Sequence, residues 1–252
     1  MEEHQLIDIL DPAEVQIKLL AINTSPRLPR LSRSQILLDD AKAGAMEVGG
    51  VEFLEFSFAR KEIAPCRMCI QYCSKHEECT VKDDFQEFRQ KWLEADGIIW
   101  SSPVYHMGPP SQVRAALDRM NELRFQTSRA HGQKQYPRLH KVVGAIVQGG
   151  SRFGGQEITL QFFLHHALLL QCIPVTADMP ESYLGVAAQT RSTEGLLADE
   201  ETRRLSRNLG RRVAETTKII KAGLMLTRDS LPDEYFPSRT KMGLIDRSPI
   251  GG

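Results

Sequence analysis

Residues 97–110, Gly-Ile-Ile-Trp-Ser-Ser-Pro-Val-Tyr-His-Met-Gly-Pro-Pro, decide the fold. Gly97–Ser102 is a short apolar run of the length expected for a buried third strand. Prolines and a glycine then make a loop over Pro103–Pro110. From Ser111 to Leu123 Val113, Leu117 and Met120 share one side of a predicted helix. The same strand–loop–helix unit lies on either side. Upstream, Gln16–Ile22 predicts a first strand, Asn23–Arg27 a turn-rich loop, and residues 32–46 a helix. Val51–Phe58 alternates as a second strand, and Asp84 with Glu87 at capping-box spacing opens a helix whose face is Phe85, Phe88 and Trp92. Downstream, Lys141–Val147 predicts a fourth strand, residues 156–171 a helix apolar nearly all round, and Cys172–Ala177 a fifth strand. A last helix spans about 199–221, aligning Leu205, Leu209, Val213 and Ile220.

Strands alternating with helices predict an α/β fold, a doubly wound five-stranded parallel sheet covered on both faces. Ligands of such sheets bind outside the carboxyl ends of the strands. The chain divides into one domain over residues 1–223, with a cysteine-rich insertion at 64–80, and an extended C-terminal tail over 224–252 rich in Pro, Gly and charge.

The 252 residues carry 32 Lys+Arg against 32 Asp+Glu. That balance gives no support to a nucleic-acid binder, whose affinity rests on excess positive charge. The acidic start MEEHQLIDILDPAEVQ is not a secretory signal, and the longest apolar stretch, near Ala167–Val175, is far short of a membrane span. The expected location is cytoplasmic.

Three strand-end loops carry candidate chemistry. Residues 23–34 offer hydroxyls, arginines and a helix N-terminus, the donors a phosphate needs. They suit a polar turn with a capping serine equally well, and they lack the glycine pattern of a dinucleotide fingerprint. The 103–110 loop places Tyr105, His106 and backbone amides where a planar ligand can stack, or forms a rigid turn with Tyr105 packed on the next helix. Gly149–Gly155 has four glycines in seven residues, allowing close backbone approach or simply a mobile turn.

Cys66-x2-Cys69-x3-Cys73-x5-Cys79 supplies four thiols from a short stretch, while Cys172 stands apart at the end of an apolar helix as a buried, inert thiol. Four thiolates from one irregular loop suit a [4Fe–4S] cluster. Zinc also takes four thiolates, usually from two separated knuckles, and His76 and Glu77 offer it further ligands. The residues rank iron–sulfur above zinc, and both above an unmetallated loop.

Taken together, Ile-Asn-Thr-Ser-Pro-Arg, the clustered Cys followed by Asp83-Asp84, Glu-Ala-Asp-Gly-Ile-Ile-x-x-Ser-Pro-Val-Tyr, Leu117-Asp118-Arg119 and Gly-Gly-Ser-Arg-x-Gly-Gly-Gln-Glu resemble the NADPH-dependent FMN reductase group of flavodoxin-like proteins. Within it the sequence is most similar to the iron–sulfur flavoproteins, over about residues 17–175. The resemblance implies a flavodoxin-like strand order of 2-1-3-4-5. It implies that Ser25, Arg27, Ser32 and Ser34 hold the FMN phosphate. Pro103, Val104, Tyr105 and His106 would face the isoalloxazine, and Gly149, Gly150 and Arg152 its other side. Cys66, Cys69, Cys73 and Cys79 would ligate the cluster. Thr24 stands where the group usually has glycine, and the Cys69–Cys73 gap is one residue longer than its compact motif.

The reading that follows is an FMN- and [4Fe–4S]-dependent oxidoreductase, acting on a small-molecule or protein redox partner, with NAD(P)H as a possible electron donor. No side chain is assigned as an acid–base catalyst. The alternatives are an NAD(P)H-dependent FMN or quinone reductase without a cluster, and a non-enzymatic electron carrier. Related flavoproteins imply a homodimer or homotetramer.

Overall fold

The computed structural model describes residues 15–73, 75, 76, 78–121 and 139–227. Its strands are β1 (Ile17–Asn23), β2 (Val51–Ser57), β3 (Gly97–Pro103), β4 (Val142–Gly149), β5 (Ile173–Pro174) and β6 (Val186–Gln189). All paired strands among them are parallel, in the order β2-β1-β3-β4-β5, with β6 also on β4. The expected order 2-1-3-4-5 is therefore observed, with an additional strand. β3 is buried at all seven positions, in keeping with a sequence that carries no charge and is apolar from Gly97 to Trp100. On β1 the side chains alternate between two core layers. Leu20 and Ile22 join Phe56, Phe85, Phe88, Trp92, Trp100 and Phe163 on one face. Ile17, Leu19 and Ala21 join Leu37, Leu38, Leu205, Leu209 and Val213 on the other.

The helices are α1 (Arg33–Met46), the single turn α2 (Ile70–Cys73), α3 (Phe85–Glu94), α4 (Ser111–Arg119), α5 (Gln156–Leu169), α6 (Thr193–Ala198) and α7 (Glu200–Thr227). α1 and α7 pack backbone to backbone. A Cβ on Gly44 would lie 1.9 Å from the Arg207 carbonyl oxygen, and one on Gly210 would lie 1.8 Å from that of Ala41. Glycine is required at both positions by this close approach.

Several boundaries depart from the sequence expectation. The predicted fifth strand, Cys172–Ala177, reduces to Ile173–Pro174, because Pro174 has no N–H to donate to a ladder. The rest of that sheet position is taken by β6, pairing Ile146–Gly149 of β4 with Val186–Gln189. The capping box at Asp84 and Glu87 does not form. Instead the Phe85 N–H donates to the Asp83 carboxylate, while Asp84 accepts from the Glu62 N–H and pairs with Lys61. α4 stops at Arg119 rather than Leu123, and α5 at Leu169 rather than Gln171. α5 is core on one side only: Leu160, Phe163 and Ala167 are buried, whereas Ile158, Leu168 and Leu169 stay about half exposed. α7 continues through Thr227, and the tail beyond it lies outside the described residues. No helix among the described residues is long and apolar enough to cross a membrane.

At the opposite edge from the strand carboxyl ends, Lys141 is buried and donates to the Leu93 and Ala95 carbonyls that end α3. Burial pushes its ammonium down to about 8, with Lys221 adding repulsion and Cys172 and Asp96 opposing. Because the folded value lies below the unfolded one, the unfolded chain binds more protons between about pH 8 and 10.5. Stability from this group rises with pH across that window, by about 3 kcal/mol in total. Comparing denaturant unfolding of wild type and Lys141→Met at pH 7.5 and 10 checks this. A difference between the two proteins that stays constant with pH sinks it.

Candidate cofactor-binding site

The parallel register brings four strand ends to one edge. Asn23 of β1 lies between Ser57 of β2 and Ser101 of β3, and Pro103 of β3 lies beside Gln148 of β4. The loops that follow these strands must therefore converge.

After β1, the buried Asn23 organises the first loop. Its Oδ1 accepts from the Ser25 N–H at 3.0 Å, and its Nδ2 donates to Gln35 at 2.8 Å. The Ser25 hydroxyl accepts from the Arg27 N–H at 3.2 Å. Ser32 is the N-cap of α1, yet its side chain makes no capping bond. Its hydroxyl and that of Thr24 are buried and unpartnered. The orphaned Ser32 hydroxyl, at the N-terminus of α1 and in the cavity lining described below, fits an anionic group, since buried polar atoms are otherwise nearly always satisfied.

After β3, Tyr105 and Gly108 exchange backbone hydrogen bonds at 2.8 and 3.1 Å around a turn whose centre is His106 and Met107. Both central residues have positive φ, 49° and 63°. The turn projects an exposed His106 to solvent and leaves Tyr105 46% exposed at the rim.

These loops enclose a cavity of about 170 Å³ lined by Ser25, Arg27, Ser32, Arg33, Pro103, Val104, Tyr105, Gln148, Gly149 and Gly150. Eight of the predicted binding residues are thus brought together. Ser34 lies behind the wall rather than in it: it is fully buried, its hydroxyl accepting weakly from Gln148 Nε2 at 3.4 Å and its carbonyl accepting from the Ser101 hydroxyl at 2.7 Å. His106 is at the outer turn. Arg152 lines a neighbouring, more open cavity of about 450 Å³ with Gln189, Arg191, Ser192 and Gly195. Sequence reasoning missed Arg33 and Gln148. Arg33 stood between two chosen serines and was legible; its guanidinium reaches the Thr190 carbonyl across the sheet edge. Gln148 was not legible, because its place depends on β4 running two residues past the predicted end.

The cysteine loop leaves the same edge after β2. Cys66 and Cys69 are half-buried, Cys73 and Cys79 buried, and no disulfide joins them. Met68 has φ 51°, and its N–H donates to Cys66 Sγ at 3.4 Å. Cys69 precedes the turn α2 and Cys73 ends it, with the Cys73 N–H bonded to the Cys69 carbonyl at 3.0 Å. The Thr80 hydroxyl, 3.2 Å away, and the neighbouring Cys73 hold the Cys69 thiol below the ordinary thiol value despite burial. A soft four-thiol donor set with N–H···S support fits an iron–sulfur cluster. Among the described residues, no three His, Cys, Asp or Glu side chains are gathered as one ligand set. Cys172 is a different kind of thiol, buried in the core and pushed up to about 12 by that burial.

Residues 17–181 match the family described as NADPH-dependent FMN reductase. An iron–sulfur flavoprotein of Methanocaldococcus jannaschii is 34% identical over 209 residues, covering 81% of this chain and 100% of the relative. One from Archaeoglobus fulgidus is 35% identical over 189 residues, covering 74% and 92%. Among solved structures, RosB with a bound 8-demethyl-8-formylriboflavin-5'-phosphate superposes with a TM-score of 0.60 at 17% identity, over 94% of this chain and 98% of that one. An NAD(P)H:quinone oxidoreductase from Methanothermobacter marburgensis gives 0.53 at 15% identity, over 79% and 95%. These two share the fold. The chain belongs to the NADPH-dependent FMN reductase family, in its iron–sulfur flavoprotein branch, and is a flavin-dependent oxidoreductase of flavodoxin-like architecture.

Proposed function

We propose that this protein passes electrons between FMN in the 170 Å³ cavity and a [4Fe–4S] cluster on Cys66, Cys69, Cys73 and Cys79, serving a small-molecule or protein redox partner. The observation that carries the reading is the shared origin of the two sites: the four-cysteine loop and the flavin loops leave adjacent strand ends, Ser57, Asn23 and Ser101. When bound, FMN exchanges one or two electrons and the cluster one, so the pair can convert between two-electron and one-electron chemistry. The chain's own part is to bind, orient and shield. Ser25, Arg27, Ser32 and Arg33 receive the phosphate, with the α1 N-terminus adding its positive end. Pro103, Val104 and Tyr105 form one wall for the ring, and Gly149 and Gly150 let backbone approach from the other. Arg152 and His106 stand outside the cavity lining and are assigned to the outer side of the flavin, where NAD(P)H is a candidate donor. Ile158, Leu168 and Leu169 offer the contact surface for a homodimer or homotetramer.

A second reading, an FMN or quinone reductase whose cysteines hold zinc or nothing, draws on one observation: Cys79 is packed within the apolar core cluster. Protein purified without oxygen separates the two. The expected result is FMN together with about four iron per chain and a broad absorbance shoulder beyond the flavin bands. Flavin with neither iron nor sulfide sinks the cluster reading, and zinc in their place establishes the second.

A further inference from the structure

Two short motifs that follow the cysteines in sequence, Asp83-Asp84 and Leu117-Asp118-Arg119, meet in space. We infer that Arg119 positions the cysteine loop against the flavin pocket; the inference rests on the reading above that this loop holds the second redox centre. The Arg119 side chain is fully buried, its guanidinium 4.1 Å over the Phe85 ring. Nη1 donates to both Asp83 oxygens, at 2.8 and 2.7 Å, and to the Ala64 carbonyl at 3.2 Å. Nη2 donates to the Val81 carbonyl at 2.8 Å. Ala64 and Val81 are the residues immediately before and after segment 65–80, which contains all four clustered cysteines. Asp83 returns the connection by accepting from the Ala64 N–H at 2.8 Å. One guanidinium therefore closes the stem of the loop.

The stem is also tied to the flavin side. α4, which carries Arg119, starts at Ser111, directly after the 103–110 loop. Its first turn contributes Gln112, whose Nε2 donates to the Lys61 carbonyl at 2.7 Å. Both ends of α4 thus grip the stem, and the helix sets the separation between cysteine loop and flavin wall. Asp118, the neighbour in the motif, instead faces solvent and pairs with Arg114. Bridging a carboxylate and two carbonyls from separate chain positions takes the planar, five-donor fork of arginine; a lysine ammonium is a point donor on a flexible stem. Arg119 is not among the residues that line the flavin cavity, so its effect is on placement.

The test compares wild type, Arg119→Lys and Asp83→Asn, with Asp118→Asn as the surface control. In metal-free, reduced protein, iodoacetamide should alkylate Cys73 and Cys79 at least tenfold faster in both stem variants, read by mass spectrometry, while Cys172 stays unlabelled. In cofactor-loaded protein, Arg119→Lys should keep its FMN content, alter the electron-paramagnetic signal of the reduced cluster, and slow flavin-to-cluster electron transfer at least tenfold. Wild-type labelling rates at Cys73 and Cys79 in both variants overturn the inference. So does labelling that rises equally at Cys172, since that is general unfolding. If wild type binds no iron, the cluster reading fails, and the labelling comparison still decides whether Arg119 positions the loop.

Discussion

Asp83→Ala lowers the unfolding free energy by about 3–5 kcal/mol, because it strands the buried Arg119 charge without its counterion. The partner carboxylate is only 12% exposed and Arg119 not at all, so water cannot replace the lost bond. Two further donors, the Ala64 and Phe85 N–H groups, lose their acceptor at the same time. For a chain of this size the melting temperature falls by about 10 °C, at roughly 2–4 °C per kcal/mol. Asp118→Ala is the internal contrast. Its pair with Arg114 is 2.9 Å long but exposed on both sides, 64% and 43%, and such pairs contribute about 0–1 kcal/mol. Urea unfolding followed by tryptophan fluorescence measures both, and equal effects would contradict the buried-clamp account. The pH dependence has a defined sign. Burial alone would raise the Asp83 carboxyl, but Arg119 and the Ala64 and Phe85 N–H groups outweigh it and hold the group below the usual carboxylate range. Its contribution is complete above about pH 4, the unfolded value, and is lost as pH falls through the lower folded one. Asp83→Ala should accordingly flatten the acid limb of the stability curve.

Ser32→Ala weakens FMN binding roughly tenfold to a hundredfold, the about 1.5–3 kcal/mol of a hydrogen bond to a charged group, without destabilising the apoprotein. The two halves of that result oppose the usual behaviour of an N-cap serine, whose removal costs about 1 kcal/mol of stability. Here the hydroxyl makes no capping bond and is buried without a partner, so the folded apoprotein loses nothing when it goes. A flavin titration by fluorescence quenching, beside thermal melts of the flavin-free protein, reads both. Unchanged flavin affinity would remove Ser32 from the phosphate site, and a destabilised apoprotein would mean that it caps the helix after all.

The doubly wound sheet was legible because period is a local property. The apolar run Gly97–Ser102, the turn residues after it and the spacing of Val113, Leu117 and Met120 lie close together along the chain. The four clustered cysteines and most of the cavity-lining loop after β1 were legible for the same reason. The edge strand was not. Val186–Gln189 is too short and bland to announce itself, and it is a strand only because β4 leaves an unpaired edge above Pro174. Arg119 was visible as a motif residue without a role, since its partners lie 36, 38 and 55 positions away. By itself, then, the sequence determined the strand and helix order, the loops that line the cavity and the grouping of four cysteines in one loop, all of which follow from short-range pattern. Only the tertiary structure decided that Ser34 lies behind the cavity wall, that Arg33 and Gln148 line the cavity, and that a single buried guanidinium joins the two ends of the cysteine loop. Those outcomes depend on which distant groups remain unpaired once the sheet has closed, and that is a property of the packed chain.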